Sequence, residues 1–124
     1  MTPVVKSLSP ILPVADIGRS VHFYVEVLRF DVKFHFPTYA ILTHGNGSII
    51  LTRAESSSVM DEVMGHLSFY LEVDDIEPLW AHVSQFKERY KTRDPFDRDY
   101  GMREFHIIDP DGCLIFVGAQ IPPA

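Results

Sequence analysis

One pattern of elements occurs twice in the sequence, and this internal repeat constrains the fold more than any other feature. The stretch PVADIGRSVHFYVEVLRF predicts the end of a strand, an N-cap at Asp16 and an amphipathic helix. The stretch LEVDDIEPLWAHVSQF repeats it, with Asp74 or Asp75 as the cap and Pro78 in the first helical turn, where proline is tolerated. The apolar faces at helical spacing are Ile17, Val21, Tyr24, Val25 and Leu28 in the first helix, and Ile76, Leu79, Trp80, Val83 and Phe86 in the second.

Three short segments typical of strands follow each predicted helix. The first set is DVKFHF, YAILT and SIILTR, the last two joined by HGNG, a hairpin signal because Asn and Gly tolerate positive φ. The second set is YKTR, REFHII and CLIFVG, the last two joined by the turn DPDG. The order β-α-β-β-β therefore occurs twice, which predicts an α+β fold. We expect module one at residues 7–53, a polar linker at 54–64, module two at 65–118 and a frayed tail at 119–124, with a charged loop at 92–100.

Composition places the chain among ordinary globular proteins and narrows its partners. Its 124 residues suffice for one domain with a buried core, and no apolar run approaches the length of a membrane helix. The net charge of −6 argues against nucleic acid, which binds clustered Lys and Arg. The single cysteine excludes an intrachain disulfide, and the N-terminal stretch, broken by a lysine and prolines, is a poor signal peptide. We expect a reducing compartment, most simply the cytoplasm.

Tandem βαβββ modules resemble the vicinal oxygen chelate superfamily of glyoxalase I, extradiol dioxygenases, fosfomycin-resistance enzymes and bleomycin-resistance proteins. The resemblance extends from about Ser7 to Gly118, and YGMREFHIIDPDGCLIFVG is most similar to the bleomycin-resistance branch. It implies a cup formed by a curved mixed sheet. Arg29 stands where the family usually has a glycine that ends the first helix. An arginine in the left-handed conformation costs on the order of 1 kcal/mol. The first helix could therefore end in a different conformation from that of the family.

Enzymes of this superfamily hold a metal with four side chains, one from the first and one from the last strand of each module, usually His, Glu or Gln. Strand alternation puts Ser9, Leu51, Ser68 and Phe116 at those positions; a shift of one residue at Leu51 would bring in Ile50, also aliphatic. Hydroxyls and hydrocarbons are unsuited to Zn, Mn, Fe or Ni. The sequence therefore predicts no metal and no cofactor, and disfavours metal-dependent glyoxalase, dioxygenase and thiol-transferase activity.

Two alternatives keep a reaction centre in the chain. His66 shares a face with Ser68, and the repeat puts Glu104 and His106 on the same side as Tyr39. His66, Glu104 and His106 could form a displaced metal site in an enzyme of the glyoxalase/lyase or dioxygenase class. Glu104 and His106 could instead serve as a metal-free acid/base pair. Inward-facing histidines more commonly hydrogen-bond to neighbours or ligand than bind metal.

The favoured function is metal-independent binding. Bleomycin-resistance proteins hold their drug in clefts of a homodimer, stacking aromatic side chains on its rings and attracting its cationic tail with acidic surface. The resemblance therefore implies a small aromatic ligand, cationic if the acidic surface serves it, and a second copy of the chain. Since aromatic residues are also common packing residues of strands, no single one is diagnostic. The predicted ligand contacts are Phe34, Tyr39, Leu51, Arg53, Ser68, Tyr70, Tyr100, Glu104, His106 and Phe116.

Overall fold

The computed structural model describes residues 1–123, which form two compact units with a boundary between Asp61 and Glu62. Both units contain a mixed four-stranded sheet and a helix packed against it. The predicted α+β class is therefore confirmed. Within the described residues, no helix combines the length and apolar character needed to cross a membrane.

Unit one contains the first repeat. Its elements are β1 (Ile11–Val14), α1 (Ile17–Glu26), β2 (Asp31–His35), β3 (Tyr39–His44) and β4 (Gly47–Arg53). The strands lie in the order β1-β4-β3-β2, with β1 parallel to β4 and the other pairs antiparallel. The edge strand β2 is bulged between Val32 and Phe34.

Unit two repeats this arrangement. Helix α2 (Ser57–Val63) contains the boundary between the units and is followed by β5 (Ser68–Glu72), α3 (Ile76–Val83) with a 3₁₀ turn at Ser84–Phe86, β6 (Thr92–Asp97), β7 (Met102–Ile108) and β8 (Leu114–Gln120). The strand order is β5-β8-β7-β6, with β5 parallel to β8. The segment predicted as a polar linker thus includes a short helix.

The prediction of a charged loop at residues 92–100 is wrong, because Thr92–Asp97 forms the edge strand β6. This strand pairs with β7 from Thr92 to Asp97, across a bulge between Arg93 and Phe96. The bulge contains Pro95, and proline is tolerated at edges and bulges because it has no N–H to donate. Tertiary pairing therefore overrides the charge and the proline. Strand β8 also extends to Gln120, past the predicted start of the tail at residue 119; Ala124 lies outside the described residues.

Each sheet buries one face under a helix and leaves the other open. The helix face of unit one buries Leu12, Val14, Ala40, Leu42, Ile49 and Leu51. The helix face of unit two buries Phe105, Ile107, Ile115 and Val117, and Trp80 of α3 packs on Phe105 with ring centroids 5.1 Å apart. We call the opposite side of each sheet its open face; by period-two alternation it carries the residues between those just named.

Side-chain caps begin both main helices, as the sequence predicts. The Asp16 carboxylate accepts a hydrogen bond from the Arg19 amide at 2.9 Å. In unit two the cap is Asp75, which accepts from the Glu77 amide at 3.0 Å. These bonds satisfy amides that lack a partner within the helix.

Helix α1 ends through a left-handed residue even though that residue is arginine. Arg29 has φ of 65°, and the Phe30 amide donates to the Tyr24 carbonyl at 2.9 Å. This bond closes the end of the helix over the left-handed residue, as many helix C-termini do. The chain therefore keeps the backbone that glycine would favour.

Replacing Arg29 tests this conformation. We expect Arg29→Gly to be more stable than Arg29→Ala by about 1 kcal/mol, because only glycine adopts positive φ without steric cost. Both variants lose the arginine side chain, so their difference isolates the backbone. Urea denaturation followed by circular dichroism would measure it, and equal stabilities would show that the left-handed end carries no strain.

Candidate functional site

The open face of unit two presents its side chains in rows that cross the strands. Tyr70, Phe116, His106 and Arg93 are successive partners across β5, β8, β7 and β6. The Tyr70 and Phe116 rings are stacked with centroids 6.2 Å apart, and the His106 ring lies 4.4 Å from that of Phe116. One row of flat groups thus spans the sheet and ends in a guanidinium.

The neighbouring row contains a buried carboxylate, Glu104, with no solvent exposure. Arg98 Nη1 donates to Glu104 Oε1 at 2.7 Å, and His106 Nε2 donates to the same oxygen at 2.9 Å. The Tyr100 hydroxyl donates to Oε2, and the Tyr70 hydroxyl also hydrogen-bonds to this carboxylate. Four donors therefore surround one charge, as burial of a carboxylate requires.

These contacts decide the ionisation of the cluster. Burial, the largest single effect, acts to raise the pKa of Glu104, but hydrogen bonds from His106, Tyr100 and Tyr70 and the charge of Arg98 outweigh it, so the pKa is lowered. Desolvation and the bond to Glu104 raise the pKa of both Tyr70 and Tyr100. At neutral pH the site therefore contains an ionised carboxylate and neutral phenols that donate to it.

A glycine makes room for the Tyr70 hydroxyl. Gly118 lies between Glu72 and Glu104 in the row. A methyl group added there would lie 2.8 Å from Tyr70 Cζ and 3.1 Å from Glu104 Cγ, and closer still to the Tyr70 hydroxyl. The absence of a side chain at residue 118 therefore lets Tyr70 cross the strand and reach the carboxylate.

Strand β6 and the turn after it place two arginine side chains against aromatic rings, an arrangement that the sequence analysis did not predict. The Arg93 guanidinium carbon lies 3.6 Å from the Phe96 ring centroid. Arg98 lies 5.2 Å from the same ring and 4.9 Å from the ring of Tyr100. Phe96 also meets His106 edge to face at 5.1 Å. The signals in the sequence that could have found this group were Phe96 within TRDPFDRDY and the strand that the repeat requires between the second helix and REFHII.

The open face of unit one carries its own aromatic group. Phe34 pairs with Ile41, and its ring stacks on Phe36 with centroids 6.1 Å apart. The ring centroids of Phe36 and Tyr39 are 4.9 Å apart. Phe34, Phe36 and Tyr39 are each at least 40% exposed to solvent. Phe36 was not predicted, although it follows Phe34 at strand spacing.

Most of the predicted ligand contacts lie on the open faces. By pairing and alternation, Phe34 and Tyr39 do so in unit one, and Ser68, Tyr70, Glu104, His106 and Phe116 do so in unit two. Tyr100 reaches Glu104 from the turn after β6.

The placement of Leu51 and Arg53 is corrected. Leu51 is fully buried on the helix face, and Ile50 occupies the open-face position. The connection between Ile108 and Leu114 is one residue longer than that between Thr43 and Ser48, so aligning the hairpins by their glycines shifts the register by one. Arg53 lies with Leu51, beside Asp16 and Gly18 at the start of α1.

The residues at the superfamily's metal positions do not suit a divalent ion. The Ser9 hydroxyl is hydrogen-bonded to that of Ser48, Ile50 is aliphatic, and Phe116 stacks with Tyr70. The displaced site is not assembled either: His66 is exposed, and no group of three His, Cys, Asp or Glu side chains in the described part of the chain is placed to hold a metal. Glu104 and His106, which the repeat predicts on the same face, contact each other.

Comparison with known proteins assigns the family. The model of the Glyoxalase/Bleomycin resistance protein/Dioxygenase superfamily matches residues 6–117, and the chain belongs to this superfamily. A bleomycin resistance protein from Geobacillus stearothermophilus is 29% identical over 130 aligned residues, covering 90% of this chain and 95% of the relative. The predicted likeness to the bleomycin-resistance branch is thereby confirmed.

Solved structures show the same fold. The bleomycin-binding protein of Streptomyces verticillus in complex with copper(II)-bleomycin has a TM-score of 0.78 at 22% identity, covering 98% of this chain and 100% of that one. TnmS3, an antibiotic binding protein from Streptomyces sp. CB03234, has a TM-score of 0.78 at 20% identity with the same coverage.

Replacing the buried carboxylate should destabilise the protein in a pH-dependent way. We expect Glu104→Gln to lower the free energy of unfolding by about 1–3 kcal/mol at pH 7, because charged hydrogen bonds are lost. The folded-state pKa of Glu104 is lowered, so its contribution is present above the unfolded pKa and lost as the pH falls through the folded value. Denaturation at pH 7 and below about pH 4 should therefore show the difference shrinking. The exposed Glu88→Gln is the control, and a pH-independent difference would contradict this account.

Adding a methyl group at residue 118 should displace Tyr70. We expect Gly118→Ala to cost about 1–3 kcal/mol, as overpacking does. In a Tyr70→Leu background the cost should be smaller, because the crowded ring atoms are gone. A double-mutant cycle of unfolding free energies measures this coupling, and additive effects would show that Gly118 does not serve Tyr70.

Proposed function

We propose that the chain is a metal-independent binding protein of the bleomycin-resistance type that sequesters an aromatic small molecule. The carrying observation is the row of flat groups Tyr70, Phe116 and His106 on an open sheet face, above a carboxylate whose donors are already in place. Stacking on such rings contributes about 0.5–1.5 kcal/mol per pair beyond area burial.

Exposed rings on both open faces support an aromatic ligand. Tyr70 is 42% exposed and Phe34 46% exposed, although burial of large aromatic surface is energetically favourable. Each ring already has an aromatic neighbour that holds its plane, Phe116 in one case and Phe36 in the other. Flat surfaces held in this way suit a planar ligand without further ordering.

The chemistry of the cluster favours binding over proton transfer. A general base works best with a pKa near the operating pH, whereas the pKa of Glu104 is lowered. Its carboxylate is buried and accepts from four side chains, and His106 lies between the rings of Phe116 and Phe96. These residues hold one another in place and leave Glu104 no free oxygen for a substrate proton.

Metal independence, dimerisation and location complete the proposal. No imidazole, carboxylate or thiolate is present at the superfamily's metal positions, which are occupied by Ser9, Ile50, Ser68 and Phe116.

We infer a homodimer whose clefts hold the ligand, on the likeness to the bleomycin-resistance branch. We infer a cytoplasmic location because the one cysteine, Cys113, is buried and unpaired with another, and burial raises its pKa to about 12.

Calorimetric titration with metal-free bleomycin, the ligand named for related proteins, tests this function. We expect saturable binding of one ligand per chain, with affinity lowered about 5–30-fold in Tyr70→Leu and in Phe116→Leu, because leucine keeps apolar volume but removes the stacking plane. EDTA should leave the affinity unchanged.

Phe86→Leu is the matched control, since its ring packs on His82 away from the open face. Loss of binding in EDTA would refute metal independence. Binding that survives both open-face substitutions would place the ligand elsewhere. No heat with bleomycin or with any small planar aromatic compound would overturn the proposed function.

A further inference from the structure

The aromatic row of unit two ends at a cation that has no carboxylate partner. Arg93 pairs across the strands with His106, and its guanidinium carbon lies 3.6 Å from the Phe96 ring centroid. Within residues 1–123, Arg93 has no ion pair. Stacking on a ring fixes the plane of the guanidinium and leaves its N–H groups available to an incoming acceptor.

Three other cations near this face already have a carboxylate partner. Arg98 donates to Glu104 at 2.7 Å, and Lys87 pairs with Asp94 at 3.0 Å. Arg103 points to the helix side, where it meets Asp97 at 3.0 Å. Arg93 therefore differs from these three side chains in lacking a carboxylate partner.

A small pocket beside Arg93 could accommodate a charged substituent of a ligand. It has a volume of ≈ 110 Å³ and is lined by Lys91, Arg93, His106, Ile108 and Leu114, among others. Like Arg93, Lys91 has no ion pair within the described residues. The pocket has an apolar floor and two cationic side chains at its edge.

The carboxylates of this face are poorly placed to bind a cationic ligand. Glu104 is fully buried and accepts from Arg98, His106, Tyr100 and Tyr70. Glu72 lies on β5, at the sheet edge opposite β6, three strand spacings of about 4.8 Å away. A cation in the pocket would meet Lys91 and Arg93 instead.

We propose that the site selects a planar aromatic anion, such as an aryl carboxylate. Its ring would lie against Phe116 and His106, and its anionic group would accept hydrogen bonds from Arg93 and Lys91. This inference rests on the proposed aromatic binding function and concerns only the pocket beside Arg93, where it replaces the cationic ligand that the acidic composition favoured. Bleomycin, whose cationic tail lies apart from its rings, tests the aromatic stacking and not this pocket.

Three naphthalene probes of equal shape test the charge preference: 2-naphthoate, neutral 2-naphthamide and cationic 2-naphthylmethylammonium. Amide chemical shifts in ¹⁵N-labelled protein, titrated to about 5 mM, would give dissociation constants in the range typical of fragments. We expect 2-naphthoate to bind about tenfold more tightly than the cation and to shift the amides of Arg93, His106 and Phe116.

Arg93→Gln should abolish this preference, lowering naphthoate affinity about tenfold while changing naphthamide affinity less than twofold. Arg89→Gln is the matched control: it removes the same charge from an arginine that stacks on Tyr90, outside the pocket. It should leave the preference intact.

The outcomes separate the two proposals. Equal binding of all three probes, tighter binding of the cation, or an anion preference that survives in Arg93→Gln would overturn the charge assignment and leave the aromatic function standing. Loss of the preference in Arg89→Gln as well would attribute it to net charge and also overturn the assignment. Failure of all three probes to shift open-face amides would refute aromatic binding itself.

Discussion

A buried carboxylate must be compensated where it lies, and this requirement organises unit two. Glu104 is surrounded by donors from three parts of the unit: Tyr70 on β5, His106 on β7, and Arg98 and Tyr100 from the turn after β6. Meeting this requirement orients two phenols and an imidazole on the open face. The buried charge therefore fixes the positions of these side chains, and their rings form the surface at which ligand binding is proposed.

Strand alternation decides which residues of each strand build the core and which lie on the open face. Phe105 and Ile107 face α3 and build the core, while Glu104 and His106, their neighbours in sequence, face the other way. Since the helix covers only one face, the side chains of the other face are not needed for the core. The same strand therefore supplies the core and the open face through alternate residues, and the aromatic row links the open-face residues across the sheet.

Much of this could be predicted from the sequence because it depends on local patterns. The repeat, the cap at Asp16, a cap at Asp74 or Asp75 and the face of Phe116 all follow from spacing, and the structure selects Asp75. Leu51 was misplaced because two hairpins of unequal length were aligned by their glycines. Strand β6 was predicted too early in the chain, at YKTR, because the charges and the proline that follow oppose strand formation locally, and pairing with β7 overrides them. Arg93 and Phe96 were therefore left out of the predicted site.

By itself, the sequence determined the fold class, the superfamily and the unsuitability of its usual metal positions, since these depend on residue type and periodicity. Only the tertiary structure decided which side chains meet. Gly118 gives no sign in the sequence that it makes room for Tyr70, and no spacing brings Arg98 and Tyr100 to Glu104. Contacts across strands depend on register, and a shift of one residue reverses the face that every side chain presents.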